Sequence, residues 1–239
     1  MRIRTAALSD IGKIREENED RFLCNDDLQL YAVADGIGGL AGGGQAAEEA
    51  IAQLLALARK QSASDDWDFQ ALFDAISQRV ASLGKSIDAT FGIGTTLTAA
   101  RLYHKRLHLA HVGDSSCYLW RDRILEKLTL DHTLENEFKA RHGRNVAIFL
   151  SPRSRNALTR CIGQTTPPEA DLLLRPLRAG DRLLLCSDGI TRFVRENELA
   201  QLLADTANPA DCLNEIIALA SDHGGHDNAT GVLIFVDSV

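Results

Sequence analysis

The stretch GTTLTAARLYHKRLHLAHVGDSSCYLW, Gly94 to Trp120, decides the fold. Three runs rich in β-branched, aromatic and aliphatic residues follow one another at Thr95 to Tyr103, Arg106 to His111 and Ser116 to Trp120, with only short polar breaks between them. Breaks that short join antiparallel strands, because a parallel pair needs a crossover of about a dozen residues or more. The same patterns predict strands at Arg21 to Asn25, Gln29 to Ala34, Asp181 to Cys186 and Thr230 to Val236. Apolar residues at three- and four-residue spacing predict helices from Gly44 to Lys60 and from Asp68 to Ile87. Two later helices are expected at Glu196 to Ala204 and Pro209 to Asp222; Pro209 suits a first turn, and Gly224 follows the end. Strand clusters with helical pairs between them predict a layered α+β sandwich, one domain over residues 1–239. From Arg141 to Arg155, RHGRNVAIFLSPRSR sets a short apolar island among basic residues, and a mobile surface flap is expected there.

The composition bounds the chemistry. With 45% hydrophobic and 25% charged residues the chain belongs with soluble globular proteins, and a net charge of -7 argues against a nucleic-acid footprint. An acidic protein that handles phosphate needs bound cations and a placed arginine to overcome its own field. Cys24, Cys117, Cys161, Cys186 and Cys212 form no CxxC pair, which fits buried thiols in a reducing compartment. The start MRIRTAALSDIGK lacks the apolar core of a signal peptide, and no apolar run approaches a membrane span, so a cytoplasmic protein without a membrane partner is expected.

Five aspartates sit at predicted strand ends or turns beside glycine, serine or asparagine: Asp20, Asp35, Asp114, Asp188 and Asp227. Singly, each reads as turn punctuation, since Asp caps its own backbone there. Together they read as an oxygen-only site for hard cations such as Mg2+ or Mn2+. In DGIGGLAGGGQAAEEA, Asp35 to Ala50, six glycines fall within nine positions before a helical run, which lets backbone approach a metal shell without side-chain collision. No GK[ST] follows, which excludes a P-loop, and the spacing does not read GxGxxG into a βαβ unit.

In order, the segments GKIREENED (Gly12 to Asp20), ADGIGG (Ala34 to Gly39), GTTLTAA (Gly94 to Ala100), HVGDSS (His111 to Ser116), LTLDHT (Leu128 to Thr133), ALTRCIG (Ala157 to Gly163), LLLCSDGIT (Leu183 to Thr191) and HDNATGVLI (His226 to Ile234) resemble the metal-dependent PPM/PP2C family of serine/threonine protein phosphatases over nearly the full length. The resemblance implies a four-layer α-β-β-α sandwich of two antiparallel sheets flanked by helix pairs. It implies that Asp35 bridges two metal ions, Mn2+ or Mg2+, with the carbonyl of Gly36 completing one of them. Asp188 and Asp227 would hold the other, Glu19 and Asp20 would hold metal-bound waters, and Asp114 would join Asp188 at a weaker third ion. Arg15 matches the phosphate-binding arginine; its planar fork of donors suits a phosphoryl group better than lysine does. GTTLTAA reads as packing, with Thr95 and Thr96 as donors behind the metals. Phosphorylated proteins, a cognate bacterial Ser/Thr kinase and a monomeric state are the implied partners and assembly.

The sequence departs from the family at two places. Positions within and just after DGxGG that hold a histidine in many members are Ile37 and Leu40 here, which leaves the leaving-group acid unassigned. Ser116 stands where arginine is more usual in HVGDSS. His104, His108 and His111 read as surface or core residues, His132 as a turn residue, and the His223/His226 pair has no neighbouring cysteine or HExxH helix to support zinc. Two other functions share the fold: a catalytically silent binding module, which would have lost some of Asp35, Asp188 and Asp227, and a small-molecule phosphoesterase, which would differ around the flap.

Overall fold

Period-two alternation sorts the strands into two sheets. The computed structural model describes the chain except residues 39–41, 62–66 and 144–149, and the backbone alone at 152–153. In chain order the elements are β1 (Arg2–Asp10), β2 (Asp20–Asn25), β3 (Leu30–Asp35), α1 (Gly43–Gln61), α2 (Phe69–Ile87), β4 (Leu97–Tyr103), β5 (Arg106–Val112), β6 (Ser116–Arg121), β7 (Ile124–Lys127), α3 (Leu134–His142), α4 (Pro152–Arg155), β8 (Asp171–Pro176), β9 (Arg182–Cys186), α5 (Asp188–Thr191), α6 (Glu196–Asp205), α7 (Pro209–Asp222) and β10 (Ala229–Ser238). One sheet runs β1-β10-β9-β6-β7 and the other β2-β3-β4-β5-β8, with every neighbouring pair antiparallel.

Alternation along β3 shows how the layers stack. Tyr31 and Val33 point inward to meet Leu119 of β6, Leu183 and Leu185 of β9 and Val232 and Ile234 of β10 in the core between the sheets. Leu30, Ala32 and Ala34 point the other way, onto α1 and α2. The face that α1 buries is built of Ala46, Ala47, Ala50, Leu54 and Ala58, small enough for helix and sheet to pack closely. On the far side, Leu184, Cys186, Leu233 and Phe235 meet Leu199 and Leu203 of α6 and Leu213 and Ile216 of α7. Each fully buried aliphatic side chain of this kind stabilises by about 1.5–3 kcal/mol.

The seven expected strands and four expected helices all form, with no end displaced by more than two residues. Asp68 caps α2 and does not open it: its carboxylate accepts the Ala71 N–H at 2.9 Å. Three strands were not expected. In β1 arginine stands at alternate positions and hides the apolar face; Arg4 pairs with Asp237 at 2.9 Å and lies 5.5 Å over the Phe235 ring. In β8 a run of three leucines has no alternation, and β7 has only four residues. The flap expected at 141–155 lies partly outside the described residues; Arg141 and His142 end α3, and 152–155 form α4. Among the described residues no helix is long and apolar enough to cross a membrane.

Candidate active site

The strand ends gather the acidic residues at one end of the sandwich. Asp35 closes β3, Asp20 opens β2 directly opposite it, Asp114 lies in the turn between β5 and β6, Asp188 opens α5 just after β9, and Asp227 lies just before β10. Arg15, Glu19, Asp35, Gly36, Asp114, Asp188 and Asp227 all line one cleft of about 440 Å³. Asp20 is the exception among the expected ligands. It is 3% exposed and lies beneath the cleft, where its Oδ2 accepts the Ser187 hydroxyl at 2.7 Å. A hollow of about 530 Å³ between Trp67, Phe69 and the leucines of β8 carries none of these carboxylates.

Main-chain clamps hold Asp35. Its N–H donates to Thr96 Oγ1 at 2.9 Å, and its carbonyl accepts the Thr95 hydroxyl and the Thr96 N–H, both at 2.8 Å. Thr96 Oγ1 also meets Ser115 Oγ at 2.7 Å, so one buried hydroxyl ties the end of β3 to the turn that carries Asp114. The two threonines of GTTLTAA therefore act on the backbone of Asp35. His132 steadies the same turn: its Nδ1 accepts the Gly113 N–H at 3.1 Å, which leaves the Nε2 hydrogen for Asp171, 3.2 Å away.

The glycines make room. A Cβ on Gly36 would lie 2.4 Å from the Gly43 carbonyl, and one on Gly43 would lie 2.6 Å from Glu19 Oε1. The start of α1 is thus pressed against both Gly36, the residue after Asp35, and Glu19. Gly189 sits so close to β10 that a Cβ there would fall 1.9 Å from the Asn228 carbonyl, and this contact fixes the Asp188 helix against the Asp227 turn.

Crowding raises the proton affinity of the carboxylates. Burial, then the charges of Asp20, Asp188, Asp114 and Asp227, push Asp35 well above the ordinary range. Burial first and Asp114 next push Asp188 up to about 8, while burial raises Asp114 and Asp20 to about 6 each. A set of hard oxygen donors that repel one another in this way is suited to divalent cations, which relieve the repulsion. Among the described residues, no three acidic, histidine or cysteine side chains already form a closed cation cage. Two guanidinium groups lie among the carboxylates: Arg15 Nη2 is 2.8 Å from Asp227 Oδ1, and Arg192 reaches Asp114, Asp188 and Asp227. The Asp227 hydrogen bond holds Arg15 still more firmly charged.

Two further residues organise the cleft. Asn228, 5% exposed, accepts the Glu19 N–H at 2.9 Å and donates to the carbonyls of Ile11 at 2.9 Å and Glu17 at 3.1 Å, so it pins the segment that carries Arg15 and Glu19. Its place in HDNAT suggested only a turn. Arg192, after DGIT, carried one local signal, its spacing of four residues from Asp188, which a helical turn converts into an ion pair.

A family model described as protein phosphatase 2C matches residues 15–215. The serine/threonine phosphatase stp of Listeria monocytogenes is 32% identical over 236 residues, 95% of this chain and 93% of that protein. The solved S. agalactiae serine/threonine phosphatase superposes with a TM-score of 0.89 at 29% identity, covering 98% of this chain and 100% of that one. The catalytic domain of PstP in complex with two manganese ions superposes at 0.82 with 34% identity, covering 98% and 99%. With the fold, the cleft and a match over more than half the chain in agreement, this protein belongs to the protein phosphatase 2C family of serine/threonine phosphatases.

Proposed function

We propose that this chain hydrolyses phosphoserine and phosphothreonine in proteins, with two Mn2+ or Mg2+ ions held by Asp35, Asp188, Asp227 and the Gly36 carbonyl. The observation that carries the reading is the convergence of these acidic groups with Arg15 on one cleft. Bound there, divalent ions would lower the pKa of a water toward neutrality and offset phosphate charge. Divalent ions held by Asp35 and Asp188 would favour the ionised carboxylates, and any proton displaced would pass to solvent. Asp20, held by Ser187 beneath the cleft, supports Asp35 from behind, and Glu19 faces the start of α1. Arg15, 40% exposed at the rim, exchanges its Asp227 contact for two phosphoryl oxygens and matches the charge that spreads over them in the transition state.

The same reading makes residues 1–239 one catalytic unit, monomeric and cytoplasmic, that opposes a Ser/Thr kinase. Purified protein with Mn2+ is expected to release phosphate from a phosphothreonine peptide, and a chelator is expected to stop it. Folded Asp35→Asn and Asp188→Asn variants as active as the parent would refute the metal assignment.

A further inference from the structure

Arg192 faces three carboxylates from one helical turn. Its backbone N–H closes α5 by donating to the Asp188 carbonyl at 2.8 Å, which brings its side chain back over the residue four positions earlier. Its Nη2 touches an Asp188 carboxylate oxygen and lies 4.0 Å from Asp114 Oδ2, and its Nη1 donates to Asp227 Oδ2 at 3.3 Å. The carboxylates beneath are 12%, 12% and 18% exposed, whereas the arginine is 43% exposed and caps them from the solvent side. An ordinary surface ion pair joins one charge to one charge. Here a single permanent cation is shared by three acids that would otherwise repel one another.

We infer that Arg192 is a resident cation of the metal centre, occupying the Asp114–Asp188 side and replacing an additional metal ion there. The inference rests on the reading that these carboxylates bind divalent ions. Arg192 supplies charge compensation at that side without a bound ion, so the tight metal complement of this chain is two. A metal entering between Asp114 and Asp188 has to displace the guanidinium and forfeits its contacts. Being exposed and outside the sheets, Arg192 is open to substitution without loss of the core.

The test counts ions without measuring turnover. Metal-free protein, Arg192→Asn, Arg192→Lys and the double variant Arg192→Asn/Asp114→Asn are titrated with Mn2+ alone by calorimetry and equilibrium dialysis, with circular dichroism confirming the fold. Two tight ions are expected in wild type and in Arg192→Lys. In Arg192→Asn a further ion is expected, bound about tenfold or more tighter than any additional ion in wild type, as loss of a like charge a few ångströms away requires. The double variant should return to two. If Arg192→Asn gains no ion, or wild type already binds three equally tight ions, the inference is overturned while the metal reading stands. Wild type that binds no Mn2+ overturns both.

Discussion

Asn228→Ala removes three hydrogen bonds and leaves Asp35, Asp114 and Asp188 in place. In the parent, Asn228 takes the Glu19 N–H and gives its two amide hydrogens to the Ile11 and Glu17 carbonyls. A net value of about 0.5–1.5 kcal/mol per bond sets the upper range near ~4 kcal/mol. Ile11 and Glu17 are exposed residues whose carbonyls recover water, so the expected loss is about 2 kcal/mol, or about 4–8 °C in Tm for a chain of this size. The larger consequence is functional, because the segment that Asn228 pins carries Arg15 and Glu19. KM for a phosphopeptide should rise about tenfold, equivalent to ~1.4 kcal/mol of lost phosphate binding, with a smaller change in kcat. Asn228→Asp should be worse than alanine, since it keeps the acceptor but turns a carboxylate toward two carbonyl oxygens beside Asp227. Thermal melts and steady-state kinetics at saturating Mn2+ check both variants. A Tm within about 1 °C of the parent, with KM unchanged, would refute the clamp.

Arg15→Ala should cost ~1.5–3 kcal/mol in kcat/KM through loss of a charge-assisted contact, with Arg15→Lys recovering only part, and unchanged kinetics would remove Arg15 from the phosphate. Asp181→Ala should destabilise by about 3 kcal/mol without altering KM, because the 1% exposed carboxylate pairs with Arg121 at 2.6 Å and accepts the Arg178 N–H at 2.7 Å; a Tm equal to the parent would contradict this. In chelator, stability should fall as pH rises. Folded Asp20, raised to about 6, and Asp188, raised to about 8, retain protons that the unfolded chain has released above about pH 4, so the native state binds more protons across that window and each unit of pH disfavours it. Melts of metal-free protein at about pH 5 and about pH 8 should show a larger loss in wild type than in Asp188→Asn, and equal losses would count against the raised affinity.

Much of the site was legible because Asp, Gly and Asn are restricted by their own chemistry. Asp35, Asp114 and Asp188 follow apolar runs, where a buried strand must surface, and a carboxylate there has few uses other than turn or metal. The cramped glycines gave the same signal, since only glycine tolerates the approach of Gly36 to Gly43. Arg15 was legible only through its family resemblance, because an arginine in a charged run looks like any solvated arginine. For Arg192 only the pair with Asp188, four residues earlier, was open to a local reading. Its contacts with Asp114 and Asp227 were not, nor were those of Asn228 with carbonyls more than 200 residues earlier, because those partners lie far away in the chain.

Alternation and turn chemistry, both local, thus predicted antiparallel strands layered with helices and placed the acidic groups at the strand ends, while the division into two sheets flanked by helix pairs was legible only through the family resemblance. Only the tertiary structure decided how those groups divide. It turned Asp20 beneath the cleft onto Ser187, set Thr95 and Thr96 on the backbone of Asp35, and placed one arginine across three acids. The physical reason is that a sequence prescribes which residues seek burial or a cation. Which of them meet is settled by the packing of sheets whose strands come from opposite ends of the chain.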